Sequence, residues 1–362
     1  MPPRLRDLGI MIGEYPPGPQ NAITDVPGVL VGHCTVIHDT PRMARTGVTV
    51  VVPREDIWHD AAFAGYYSFN GNGEVTGLLW VDESGMLGSV IGLTNTYQVG
   101  MVRDTLVRYS VEQGYTSSFL LPVVGETYDG WLSDINAFHL TPAHVYAALR
   151  AAHRGPVAEG NVGGGTGMIC HDFKGGIGTA SRLVETRAGH FTLGVLVQTN
   201  YGRRHMLRVD GVPVGRHISL EQVPAPDRSP ARAIQSSSII GIIATNAPLS
   251  SFQCKRLSRR AVVGLGRVGG TGHNNSGDIF LAFATGNHLP RAADPVRNLA
   301  MLPNVTLDPF LDASAEAVEE AILNALVSAE TMTGFENRTV YALPHDELVA
   351  IMRYYRRLPM DN

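Results

Sequence analysis

Apolar positions along the chain form two alternating kinds of pattern, short runs and helical stripes, with no fixed repeat. The run Ile239-Ile240-Gly241-Ile242-Ile243-Ala244 is apolar on both faces. A run so short and uniform fits a strand buried between two layers. It predicts a strand over 238–245, and similar runs predict strands over 28–37, 46–52, 117–123, 191–198 and 279–285. Helical stripes are clearer. Thr141 followed by Pro142 opens one that stops at Gly155-Pro156, with cap, first-turn proline and terminal glycine in place. Others are expected over 94–114, 250–260, 314–334 and 346–357; the fourth sets Val318, Ile322, Ala325, Leu326 and Ala329 on one stripe. Strands mixed with helices imply a layered α/β or α+β fold, and without a low-complexity linker residues 1–362 read as a single domain.

Composition narrows the function classes. The 362 residues are 44% hydrophobic and 17% charged, with a net charge of −4. No basic excess or basic run exists, which argues against a nucleic-acid or membrane-surface partner. Lys255, Arg256, Arg259 and Arg260 read as a solvated helix face. No window approaches the roughly 18 apolar residues of a membrane span, and the N-terminal segment lacks a signal-peptide stretch. Cys34, Cys170 and Cys254 are odd in number and far apart, as expected of buried thiols in a reducing, cytoplasmic setting. The unusual counts are 40 glycines and 22 prolines, the glycines gathering around polar residues at a few places.

Several motif searches fail: H-E-x-x-H, G-x-S-x-G and G-x-x-x-x-G-K-[ST] are all absent. The cluster Gly163-Gly164-Gly165-Thr166-Gly167 lacks the βαβ context and partner acid of a dinucleotide site. His139 and His144 lack ligand spacing, so neither a metal nor a cofactor is expected. The proline-bearing stretch 223–236 reads as a loose loop that delivers Ser236-Ser237-Ser238 into the apolar strand. Serines in loops are usually unremarkable. A serine at a strand start, however, is a hydroxyl held by a rigid sheet. Asn200 ends the strand that includes Val195 to Gln198, and Asn274-Asn275-Ser276-Gly277-Asp278 opens another. Three strand ends thus offer a hydroxyl, an amide, and a hydroxyl with a carboxylate: material for a nucleophile, an oxyanion donor and a proton relay.

The string Ser238-Ile239-Ile240-Gly241-Ile242-Ile243-Ala244-Thr245-Asn246-Ala247-Pro248-Leu249 resembles the segment after the self-cleavage site of the L-aminopeptidase/D-esterase family, also called the β-aminopeptidase family. Further pieces agree in order over about 280 residues. They include residues 22–28, Val31-Gly32-His33, Asn70-Gly71-Asn72-Gly73-Glu74, Pro122 to Gly130 with Gly125-Glu126-Thr127-Tyr128, and residues 159–167. Residues 174–181, 197–202 and 210–215, with Ser276-Gly277-Asp278-Ile279-Phe280, complete the set.

The resemblance implies a four-layer αββα sandwich, similar to the N-terminal-nucleophile hydrolases but differently connected. It implies self-cleavage between Ser237 and Ser238, giving an α-chain of residues 1–237 and a β-chain of residues 238–362. Ser238 is then the nucleophile, Ser276 and Asp278 the relay, and Asn200 the oxyanion donor. Glu126 is expected to pair with a substrate's free ammonium, with Tyr128 lining the same pocket. The implied activity is removal of N-terminal residues from peptides, amides or esters, by a homotetramer of cleaved units. Two residues depart from the commonest pattern. Ser237 precedes the cut where glycine or asparagine is common, so Ser237 and Ser236 stand as competing hydroxyls, and strand register favours Ser238. Asp278 stands where some relatives carry glutamate. Two other readings stay open: a self-cleaving acyltransferase, against which a serine rather than threonine at 238 speaks, and an unprocessed, non-catalytic binding protein of the same fold.

Overall fold

The computed structural model describes residues 2–115, 119–227, 237–290 and 296–359. Two sheets form its middle. The first has four strands in the order β1 (Leu30–His38), β2 (Ala44–Val52), β5 (Ile91–Asn95) and β6 (Val123–Thr127). The second has six, ordered β4 (Met86–Leu87), β3 (Asp60–Ser68), β12 (Ser276–Pro290), β11 (Ser237–Thr245), β10 (Gly189–Asn200) and β9 (Gly176–Thr186). Its pairs are antiparallel except β11 with β12, which run parallel. Two short hairpins, β7 (Ile169–Cys170) with β8 (Phe173–Lys174) and β13 (Met332–Thr333) with β14 (Thr339–Val340), lie outside the sheets.

The described residues form six α-helices: α1 (Leu78–Ser84), α2 (Val99–Glu112), α3 (Pro142–Arg150), α4 (Ser251–Val268), α5 (Asp308–Val327) and α6 (His345–Tyr354). Helices α2 and α3 lie on the first sheet, α4 and α5 on the second. Strand β11 displays the logic of the sandwich. Ile239 and Ile243 join the core shared with Leu257, Leu265, Val318 and Ile322 of α4 and α5. Ile240 and Ile242 point the other way, into the core shared with Val50, Leu93 and Val124 of the first sheet. A strand with a period of two and apolar on both faces is what a four-layer arrangement requires. The architecture is αββα, as expected.

Element boundaries moved in several places. Residues 94–95, expected to begin a helix, end β5 instead; the Asn95 side chain accepts from the Tyr97 and Gln98 N–H groups and caps the turn before α2. Helix α5 begins at Asp308 with a proline in its first turn, six residues before the expected Ser314, and ends at Val327. Helix α4 runs on to Val268, where Gly269 closes it in the left-handed conformation. Of the strand expected over 117–123, Ser117 and Ser118 lie outside the described residues, and the strand itself starts at Val123. The loop expected over 223–236 is described only to residue 227, so Ser236 lies outside it.

Candidate active site

The three polar strand ends meet. In register, Ser238 of β11 is opposite Asn200 of β10 on one side and Gly277 of β12 on the other, and Ser237 is opposite Ser276. Ser238 is wholly buried. Its Oγ accepts from the Gly277 N–H at 3.3 Å. Ser276 Oγ donates to Asp278 Oδ1 at 2.6 Å and lies 3.5 Å from Ser237 Oγ. Burial pushes the Asp278 carboxyl above its ordinary range, opposed by hydrogen bonds from Ser276, Asn70 and the Ile239 N–H. Asp278 therefore suits a proton relay better than a solvated aspartate would.

Asn200 is fixed at both ends of its amide. Oδ1 accepts from the Ile169 N–H at 2.9 Å, and Nδ2 donates to the Tyr128 carbonyl at 3.0 Å. An NH2 group has two hydrogens, so one remains for a further acceptor.

Glu126, at the end of β6, reaches the same place through the loop between β3 and α1. Its Oε1 accepts from the Glu74 N–H at 3.0 Å, and its Oε2 accepts from the Thr96 hydroxyl. The loop also crosses β12: Asn72 N–H bonds the Ser276 carbonyl at 3.1 Å, and Asn70 Oδ1 accepts from the Asp278 N–H at 2.6 Å. The crossing is so close that a Cβ on Gly277 would lie 2.6 Å from the Gly73 Cα. Glycine is required there by approach rather than by dihedral angle.

Glu126 is almost completely buried, and burial pushes its carboxyl up against the two hydrogen bonds that favour the anion. It has no cationic partner among the described ion pairs. A buried carboxylate with donors but no counter-charge has the chemistry to pair with an ammonium group. Tyr128, two residues further on, is half-buried; burial raises its phenol, with Tyr97 and Asp129 adding and Arg338 opposing. Asp129 is wholly buried, and burial pushes it up to about 7, moderated by Thr46 and Asn95 and reinforced by the Glu126 charge.

Every site residue expected from the sequence is brought into this one region. Residues not singled out for a site role are Thr96, Asn70 and Asp129, together with the N–H groups of Gly277 and Ile169. Asn70 and Asp129 each lie in a string quoted above for the family resemblance, whereas Thr96 carried no signal. Backbone donors leave no trace in side-chain identity.

Comparison with known proteins agrees with the geometry. The profile of peptidase family S58 matches residues 21–340. A β-peptidyl aminopeptidase, BapA, of Sphingosinicella microcystinivorans is 44% identical over 370 residues, covering 98% of this chain and 93% of that one. Among solved structures, a β-aminopeptidase of Burkholderia sp. superposes with a TM-score of 0.92 at 50% identity, covering 99% of this chain and 100% of that one. The L-aminopeptidase D-Ala-esterase/amidase of Ochrobactrum anthropi, described as a prototype of the serine aminopeptidases and a variant of the Ntn-hydrolase fold, gives 0.91 at 45% identity with the same coverage. Fold and relatives define the class: a serine-type aminopeptidase on an Ntn-hydrolase-like sandwich. The chain belongs to peptidase family S58.

Proposed function

We propose that this aminopeptidase is made inactive and activates itself by cutting the Ser237–Ser238 bond. The observation that carries the proposal is the position of Ser238: wholly buried at a strand start, between Asn200 and the Ser276–Asp278 pair. A wholly buried hydroxyl cannot meet an external substrate. The carbonyl that covalent geometry keeps within its reach is that of its own preceding peptide bond.

The steps balance without a cofactor. Ser238 Oγ attacks the Ser237 carbonyl carbon and gives its proton to the Ser276–Asp278 relay. Asn200 stabilises the oxyanion with its second amide hydrogen. The C–N bond breaks, the Ser238 nitrogen takes a proton and becomes the new α-amine, and an ester remains. Water hydrolyses that ester, leaving a carboxylate on Ser237 and restoring the Ser238 hydroxyl. In turnover the same hydroxyl attacks the first amide or ester carbonyl of a substrate held by its ammonium on Glu126, with Tyr128 beside it. Anchoring the terminal amine favours aminopeptidase over endopeptidase action.

The relatives' names span L-α-, D-alanyl and β-amino-acid substrates, and this chain's substrates are drawn from that set. A homotetramer of cleaved units in a reducing cytoplasm completes the reading, the latter resting on the three free cysteines. Intact mass spectrometry and denaturing electrophoresis of the purified protein test it. Two fragments, the smaller starting at Ser238, are expected from the native chain and none from Ser238→Ala. Uncut chain from both sinks self-activation. A cut that survives Ser238→Ala transfers the role to Ser237 or another group.

A further inference from the structure

Behind the oxyanion side of the site lies a cation that the mechanism above does not use. Lys174, on β8, is wholly buried. Its Nζ donates to the carbonyls of Met168 at 2.9 Å and Gly175 at 2.8 Å, with that of Gly165 at 3.4 Å. No described carboxylate forms an ion pair with it. A buried ammonium without a counter-ion is costly, and three carbonyl dipoles compensate it only in part. Such a residue calls for a reason.

The reason lies one peptide unit away. The carbonyl that Lys174 holds at Met168 belongs to the same peptide group as the Ile169 N–H, and that N–H bonds Asn200 Oδ1 at 2.9 Å. The far end of the Asn200 amide is the proposed oxyanion donor. Charge on Nζ draws electrons toward the Met168 oxygen and makes the Ile169 N–H a stronger donor. This in turn draws electrons toward Asn200 Oδ1 and makes its NH2 a stronger donor, the cooperative polarisation expected of a hydrogen-bond chain in a low dielectric. The peptide is also anchored sideways, since the Thr127 hydroxyl bonds Met168 Sδ at 2.8 Å, tying it to the strand of Glu126.

We propose that Lys174 is a positioning residue that orients and polarises Asn200 through the Met168–Ile169 peptide; this rests on Asn200 being the oxyanion donor. The titratable group facing Lys174 is Cys170, whose thiol burial pushes up to about 12, so it stays neutral at working pH. Burial pulls Lys174 itself down to about 7. The chain is therefore charged below that pH and uncharged above it.

A double-mutant cycle tests the link, read as kcat and KM on an amino-acid p-nitroanilide, or as the self-cleavage rate for any variant that is purified uncut and cleaves slowly. Asn200→Ala alone is expected to lower kcat by about 100-fold, the usual cost of a lost oxyanion donor. Lys174→Met alone is expected to lower kcat about tenfold with KM nearly unchanged, and to have almost no effect in the Asn200→Ala background, because its route is gone. Equal losses in both backgrounds overturn the proposal. An Asn200→Ala variant with unchanged kcat removes the oxyanion assignment itself, and this inference with it. If Lys174→Met does not fold, the pH profiles decide. A fall in kcat as pH rises through about 7, present in the native chain and absent in Asn200→Ala, supports the link. The same fall in both overturns it.

Discussion

Glu126 concentrates the residue-scale chemistry. Its carboxyl is pushed up by burial, while the Thr96 hydroxyl and the Glu74 N–H favour the anion. Only the anion can receive an ammonium. A raised pKa therefore places the acid limb of kcat/KM above the ordinary carboxylate range, and activity is lost as pH falls through it. Thr96→Val removes one of the bonds that lower the pKa, so the limb moves to higher pH, while the plateau at neutral pH is nearly kept. Glu126→Gln removes the charge altogether and lowers kcat/KM on the order of 100-fold at every pH. A pH–rate profile of the three proteins checks both statements. An acid limb in the ordinary range, unmoved by Thr96→Val, removes Glu126 from the ammonium site. The Glu126 assignment rests on the family string around it, because a single acid has no intrinsic signature. Thr96 is not legible at all, since the sequence pattern places it inside a helix and its partner is 30 residues away.

At the scale of elements, helix α5 and strand β9 meet through charges as well as hydrocarbon. Arg182 of β9 is wholly buried and bonds Glu316 at 3.1 Å and Glu320 at 2.7 Å; Arg6 approaches Glu320 from outside at 2.7 Å. Burial alone would raise the Glu320 carboxyl, but the Arg6 hydrogen bond and the Arg182 and Arg6 charges outweigh it and hold it below the usual range. A depressed carboxyl contributes stability above its unfolded value of about 4.3 and loses it as pH falls through the folded value. Glu320→Ala leaves Arg182 short of a partner in the core and is expected to cost about 3–5 kcal/mol in urea unfolding near neutral pH. That loss shrinks toward acid pH. A cost below about 1 kcal/mol, the range of surface bridges, would mean that the buried pair contributes little to stability. The same contact explains what sequence pattern missed. Glu316, Glu319 and Glu320 are buried, so the true apolar stripe of α5 is broken by acids whose partners lie far along the chain. Strand β9 carries glycine, serine and arginine, a poor strand composition. Gly178 is there because α5 lies so close that a Cβ would come within 1.9 Å of the Ala321 carbonyl. Patterns report an element's own faces. Close docking and long-range charge pairs belong to tertiary structure.

At the scale of the whole molecule, the proposed cut falls at the start of the strand least able to leave. Strand β11 sits between β10 of the N-terminal piece and β12 of the C-terminal piece, and β12 is bordered in turn by β3 of the N-terminal piece. Helices α4 and α5, both beyond residue 238, cover strands on either side of the boundary. The two pieces thus share both the six-stranded sheet and the core beneath it. Cutting one peptide bond frees a chain end without freeing a surface, so the cleaved pieces are expected to elute together and unfold as one cooperative unit. The molecule supplies two separate reporters. Trp58, Trp80 and Trp131 all lie in the N-terminal piece, whereas the long helices α4 and α5 lie in the C-terminal piece. Tryptophan fluorescence and helical circular dichroism of the cleaved protein should therefore lose signal at one denaturant midpoint. Two distinct midpoints would mean that the pieces carry separate cores and that residues 1–362 do not fold as a single domain. One midpoint, with separation of the pieces only beyond it, follows from a sheet whose central strands come from both sides of the cut.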